Sequence, residues 1–195
     1  STFLSRYTNK RTDEYGGDLK ARCRLMVEVI EGVKAEVGDM PVGIRLCGHE
    51  LLDDRGGNTF EESVESFRIA EDAGADYLSV TVGWHESSQS VITRDVPMGH
   101  WLYIAEAVKK AVDVPVMMAF RQFLPHIPEK AIAGGQIDFV EMCRPMIADP
   151  EFPNKVREGR EGEIVPCIAC NVCFSRLYYH QPIMCSVRPS LGHEG

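Results

Sequence analysis

The sequence predicts an α/β fold, about the second half of a TIM-type (β/α)8 barrel, followed by a cysteine-rich segment. Three observations carry that expectation. Short apolar runs of strand type alternate strictly with amphipathic runs of helical spacing. Polar residues (Arg45, His85, Arg121 and Arg144) stand at or just beyond the ends of the strand-type runs. Four of the seven cysteines gather late in the chain, spaced C-x2-C-x2-C with one more beyond.

The first helix is expected over about 18–37, where Leu19, Cys23, Met26, Val27, Ile30, Val33 and Val37 recur at helical spacing. Asp18 suits the cap and Gly38 the stop. Residues 41–47 form a short apolar, β-branched run of the kind that makes a buried parallel strand. Thr59 opens a second helix that runs to Gly74, with Glu62 placed to complete a capping box. Residues 76–82 are the next strand, ended by Gly83-Trp84-His85-Glu86, and about 99–112 the next helix. Strands at 114–119 and 137–142, a short helix at 128–134 between them and a helix over about 150–158 complete a count of four strands and five helices.

Strict alternation with short connections predicts a parallel sheet with right-handed crossovers. An open doubly wound sheet would more often show a glycine-rich phosphate turn after its first strand, and no G-x-G-x-x-G occurs. A barrel collects its chemistry at the C-terminal ends of several strands, which is where Arg45, His85, Arg121 and Arg144 fall. Eight units need about 250 residues, so the visible units amount to half a barrel. The expected division is a barrel half over 1–160 and a metal-binding segment over 161–195.

At 195 residues the chain has the length of one domain, or of a domain with an appendage. Its formal charge of -8 offers neither a general nucleic-acid surface nor a basic membrane patch. No apolar run approaches a membrane span, and Ser1-Thr2-Phe3-Leu4 lacks the build of a signal peptide. An odd number of cysteines concentrated in one loop fits a reducing compartment, so the expected location is cytoplasmic. The chain opens without methionine, in a polar loop over 4–17 that reads as the middle of something longer.

The cysteine segment runs Pro166-Cys167-Ile168-Ala169-Cys170-Asn171-Val172-Cys173, with Cys185 further on. A C-x2-C turn aims two thiolates at one centre, and a third cysteine after the same interval wraps the loop around three corners of one object. Three close cysteines and a separate fourth suit a [4Fe–4S] cluster held by Cys167, Cys170, Cys173 and Cys185. Four-cysteine zinc sites usually pair two distant C-x2-C turns. Zinc, and disulfides or free thiols, remain the alternatives. Ile168, Ala169 and Val172 would keep water from the sulfurs.

Several motifs then coincide in order: Thr8-Asn9-Lys10-Arg11-Thr12-Asp13-Glu14-Tyr15-Gly16-Gly17, Gly43-Ile44-Arg45-Leu46, Gly83-Trp84-His85-Glu86, Arg144-Pro145-Met146-Ile147-Ala148-Asp149-Pro150 and the cysteine loop. Together they resemble the Old Yellow Enzyme family of NADH:flavin oxidoreductases, in particular its iron–sulfur branch of 2,4-dienoyl-CoA reductase and trimethylamine dehydrogenase. The resemblance implies FMN at the mouth of the barrel, a [4Fe–4S] cluster just after the last barrel helix, and FAD and NAD(P)H in further domains. It implies that the first half of the barrel, with a tyrosine acid, precedes Ser1, and that the nucleotide domains follow Gly195.

The resemblance also implies roles for single residues. Arg45 would lie against the pyrimidine side of the flavin, where positive charge stabilises an anionic reduced ring; a structural pairing with a barrel carboxylate is the other reading of a buried arginine. Arg121 and Arg144 match the FMN phosphate region. The small residues common before each arginine in the family are replaced here by Phe120 and Cys143, and Phe120 stiffens backbone that must approach phosphate closely. Gly83 would permit a sharp turn that sets His85 over the mouth as the catalytic candidate, for substrate binding or protonation. His49 is a weaker candidate for the same mouth, and His100, His126, His180 and His193 are expected at the surface.

The implied reaction is reduction of an activated C=C bond, in an enoate or dienoyl-CoA type substrate. Electrons from NAD(P)H would pass singly through the cluster and collect on FMN. An amine dehydrogenase is the rival within the family, favoured by Asn171-Val172-Cys173-Phe174-Ser175-Arg176. A non-catalytic metal-binding barrel fragment is the rival outside it. The expected partner is a small molecule with an activated alkene, and no nucleic acid or membrane. A homo-oligomer, or completion by chain segments outside this sequence, is expected because half a barrel leaves strand edges unpaired.

Overall fold

The computed structural model of the chain describes residues 2–119 and 121–193. Four strands, β1 (Gly43–His49), β2 (Tyr77–Val82), β3 (Val116–Met118) and β4 (Phe139–Val140), form one parallel sheet in the order β1-β2-β3-β4. Helices α1 (Leu19–Val37), α2 (Phe60–Asp72), α3 (Leu102–Ala111), α4 (His126–Ala133), α5 (Arg144–Ala148), α6 (Phe152–Arg157) and α7 (Val172–Tyr178) complete the order, with single 3-10 turns at Asp53–Arg55 and Glu161–Glu163. This is the expected β/α alternation, and the sequential strand order is that of a segment of a barrel wall.

Local chemistry sets the helix ends. Asp18 accepts a hydrogen bond from Ala21 N, and Gly38, at φ 62, closes α1 with its N–H on Lys34 O. Thr59 and Glu62 form the full capping box at the start of α2. Five helices were expected, and seven α-helices occur among the described residues. Helix α5 hides behind Arg144-Pro145, because proline is acceptable in a first turn, where its missing N–H has no partner to lose. Helix α7 buries none of its residues and so carries no amphipathic signal.

The core lies between the sheet and its helices. Leu46, Leu78, Val80, Val116 and Met118 from the strands meet Phe67, Ala70, Ile104, Ala105 and Val108 from α2 and α3. The strand positions between these point to the other face, the one that lines a barrel's interior. There Arg45, Ser79, Met117 and Phe139 stand abreast in register. Arg45 is therefore not the end of its strand, as expected, but the third residue of β1, and its side chain is 51% exposed.

The N-terminal loop is tied down by a buried polar knot. Arg22, 2% exposed, donates to Leu4 O (2.8 Å), Gly17 O (2.6 Å), Asn58 Oδ1 (3.0 Å) and Glu62 Oε1 (3.3 Å). Asn9 holds the same loop from within by donating to Phe3 O and Tyr15 O. The Thr8-Asn9-Lys10-Arg11 motif is thus a scaffold that anchors the chain ahead of β1.

Candidate functional site

Beyond the C-terminal ends of the strands, three cavities adjoin one another through shared residues. The largest, about 820 Å³, is lined by Arg45, Cys47, Glu50, Thr81, Trp84, His85, Ile92 and Phe174 among others. A second, about 160 Å³, is lined by Arg45, Ile92, Arg121, Gln122, Cys143 and Arg144. The third is small and is walled by Cys167, Cys170, Cys173 and Cys185, with Arg144 and Asn171. Arg45 belongs to the first and second, and Arg144 to the second and third. Arg45, His85, Arg121, Cys143, Arg144 and the four cysteines of the late loop thus fall on one connected system of walls; Phe120 lies outside the described residues.

Arg45 faces Glu141 at 3.8 Å, and Ser79 Oγ donates to both carboxylate oxygens of Glu141 (2.9 and 2.8 Å). The carboxylate partner considered for a buried arginine therefore exists, yet half of the Arg45 side chain stays open to the cavity. Sequence reading missed Glu141. It follows the two-residue strand β4, too short to display the period-2 pattern that would have marked it as inward-facing.

Arg121 is buried at 5% exposure, with a left-handed backbone at φ 61 that non-glycine residues rarely adopt. Its Nε donates to Val96 O (2.8 Å) and its Nη2 to Arg94 O (3.2 Å). Arg144 Nη1 donates to Ile92 O (3.1 Å) and Asn171 Oδ1 (2.6 Å). Both guanidinium carbons lie near the Phe123 ring, at 5.0 and 4.9 Å from its centroid. Burial, and then the neighbouring Arg144 charge, pull the Arg121 pKa below its ordinary value. Two arginines held together by neutral partners concentrate positive charge on one cavity. That is the chemistry of an anion site, and a phosphate monoester fits it.

His85 is exposed and follows the turn at Gly83. Gly83 has φ 74, and an added Cβ would come within 2.5 Å of Val91 Cγ2, so both conformation and space call for glycine. The turn is fixed by Ser87, whose Oγ accepts from Trp84 N (2.7 Å) and donates to Glu50 O (2.9 Å). His49, by contrast, leaves the mouth. The β1–β2 register shifts between Cys47 and His49, and such a bulge breaks the in-and-out alternation. Gly48 packs towards Ile104 and Phe67, and His49 stacks on Phe60 at 5.2 Å and lies 3.3 Å from both Tyr103 Oη and Asp53 Oδ2. His100, His126, His180 and His193 are exposed as expected.

All seven cysteines are free. Burial raises the thiol pKa of Cys167 and of Cys173, with the Arg144 charge acting in the opposite sense on both. Ser186 Oγ, 3.4 Å from Cys170 Sγ, brings the Cys170 pKa below its ordinary value. Left-handed residues at Ala169 (φ 54) and Asn171 (φ 59) fold the C-x2-C-x2-C loop back on itself. Ala169 is buried, but Ile168 is 41% exposed, so only part of the expected apolar cover is present. Among the described residues no three of His, Cys, Asp or Glu close on one point as a single ion would need. The four thiols instead stand around the walls of a cavity, an arrangement that fits a cluster with a ligand at each corner.

A parallel β/α wall with an anion cavity and a four-thiol cavity at its strand ends has the layout of a barrel oxidoreductase. The chain belongs to the NADH:flavin oxidoreductase / NADH oxidase family, whose model matches residues 1–163. A metal reductase of Desulforamulus reducens is 39% identical over all of this chain, which covers 29% of that protein. Among solved structures, a 2-naphthoyl-CoA reductase complex is similar with a TM-score of 0.94 and 47% identity, over 99% of this chain and 30% of that one. Histamine dehydrogenase from Rhizobium sp. 4-9 gives 0.88 and 31%, over 99% and 28%. The chain therefore spans less than a third of each of these three relatives. Among the described residues no helix is long and apolar enough to cross a membrane.

Proposed function

We propose that this chain is the second half of the FMN barrel, over residues 1–160, and the [4Fe–4S] segment, over 161–195, of an NAD(P)H-dependent reductase of activated C=C bonds. The observation that carries the reading is the continuity of the three cavities through Arg45 and Arg144, which orders a substrate mouth, an anion site and a four-thiol site along one path. The likeness to a 2-naphthoyl-CoA reductase supports an acyl-CoA type substrate.

FMN, when bound, supplies hydride to an electron-poor alkene, and the cluster supplies single-electron transfer from the nicotinamide side. Arg121 and Arg144 hold the phosphate. The peptide carbonyls of Arg94 and Val96 restrain Arg121, whereas Arg144 commits only Nη1 to the protein among the described residues. Arg45 keeps positive charge at the junction of the two larger cavities, moderated by Glu141. His85 donates an N–H to the substrate carbonyl oxygen, which withdraws charge from the alkene and favours attack at its far carbon. Cys167, Cys170, Cys173 and Cys185 hold the cluster, and FAD and NAD(P)H belong to further domains.

An amine dehydrogenase is the second reading, favoured by the likeness to histamine dehydrogenase. Turnover separates the two. The complete flavoprotein is expected to oxidise NAD(P)H with an enoyl thioester as acceptor and to leave trimethylamine untouched. Activity on the amine alone would overturn the reductase.

A further inference from the structure

Arg144 stands in the wall between two cavities. It lines the arginine cavity on the barrel side and the cysteine cavity on the other. Its Nη1 is shared between Ile92 O, from the segment lining the barrel mouth, and Asn171 Oδ1, from the loop between Cys170 and Cys173. The Asn171 contact, at 2.6 Å, is the shorter of the two. A guanidinium on a long side chain has many rotamers, and a charge-assisted hydrogen bond to a fixed oxygen selects one of them.

Asn171 itself has φ 59, in the left-handed region where glycine and asparagine are tolerated best. If the loop needed only this backbone, glycine would serve as well. Glycine lacks the Oδ1 that reaches Arg144.

Resting on the functional reading above, we infer that Asn171 is a positioning residue that holds the Arg144 guanidinium in the shared wall. Through this contact, anion binding on the barrel side and order in the cysteine loop stabilise each other. Phosphate binding favours the arrangement of Arg144 that also pins Asn171, and the pinned loop keeps Cys170 and Cys173 in place. Such coupling is reciprocal by thermodynamic linkage, so it is measurable from either side.

The test uses the complete holoprotein and two readouts other than turnover. One is the FMN dissociation constant, from flavin fluorescence; the other is the rate of iron loss to a chelator, with and without saturating FMN. Asn171→Gly keeps the left-handed backbone and removes the acceptor. It is expected to weaken FMN binding about tenfold, in line with the loss of a hydrogen bond to a charged group, and to abolish the protection of iron by FMN. Asn171→Asp keeps an oxygen on the same backbone and is expected to stay within about threefold of wild type and to retain the protection. A purely conformational role gives the opposite pattern, with glycine neutral in both readouts, and that result overturns the inference while leaving the functional reading intact. Should Asn171→Gly lose the loop altogether, Asn171→Ala and Asn171→Asp decide together, since alanine already holds the left-handed backbone at Ala169 of the same loop: loss of the protection in Asn171→Ala with its retention in Asn171→Asp upholds the inference, and the same behaviour in both variants overturns it. A wild-type protein that binds no FMN overturns the functional reading and the inference together.

Discussion

Cys173→Ser in the complete protein is expected to reduce its iron to less than about a tenth of the wild-type content, because a serine oxygen does not replace thiolate at an iron corner. Cys173 is the second residue of α7, two beyond the left-handed Asn171, and lines the four-thiol cavity with the other three cysteines. Removing it opens one corner of the cavity without touching the strands or their helices, so the far-ultraviolet circular dichroism should be unchanged. NAD(P)H-driven turnover is expected to collapse by at least about a hundredfold, while flavin reduced directly by dithionite still reacts with an enoyl acceptor. Iron analysis and the two assays check this together. Full iron retention, or stoichiometric zinc in wild type and variant alike, would contradict the ligand assignment.

His85→Ala is expected to lower the rate of flavin reoxidation by an enoyl thioester by about 10²- to 10⁴-fold, the range for loss of a positioned acid–base group, or about 3–5 kcal/mol of barrel-mouth transition-state stabilisation. His85 is exposed in the cavity of about 820 Å³ at the strand ends, and its turn is held by Gly83 and Ser87, which the substitution leaves alone. Reduction of the flavin by NAD(P)H should therefore stay within about threefold of wild type. Stopped-flow measurement of the two half-reactions separates a role at the substrate from a role in the fold. Equal losses in both would make His85 structural, and no loss in either would remove it from the reaction.

The elements most legible in the sequence were those whose burial follows a simple period. Helices α1 and α2 combine an apolar stripe with a side-chain cap, and both emerged within a few residues of their expected limits. The four strands were found as apolar runs, but only their hydrogen-bonded centres form the ladder, so β3 and β4 are shorter than the runs that announced them. Arg45 was placed at a strand end because a charge interrupts an apolar run. In the fold it is an inward-facing residue of β1, where alternate positions need not be apolar.

What the sequence concealed has local causes. The β1 bulge turned His49 onto Phe60 and Tyr103; Gly48, at the register shift, was its local sign, but a glycine there does not say which way the next side chain turns. Glu141 and Asn171 act through contacts with distant partners, Arg45 and Ser79 for the first and Arg144 for the second. The four cysteines were legible because their close, regular spacing is that of ligands to one centre, and all four line one cavity. Arg144, which also borders their cavity, was expected only on the phosphate side.

The most direct test of the account is the metal and flavin content of the complete protein, purified without oxygen and measured together with its absorbance spectrum. The account predicts about four iron, about four acid-labile sulfides and about one FMN per chain, with flavin bands on a broad brown background. A colourless protein carrying zinc and no flavin would contradict it.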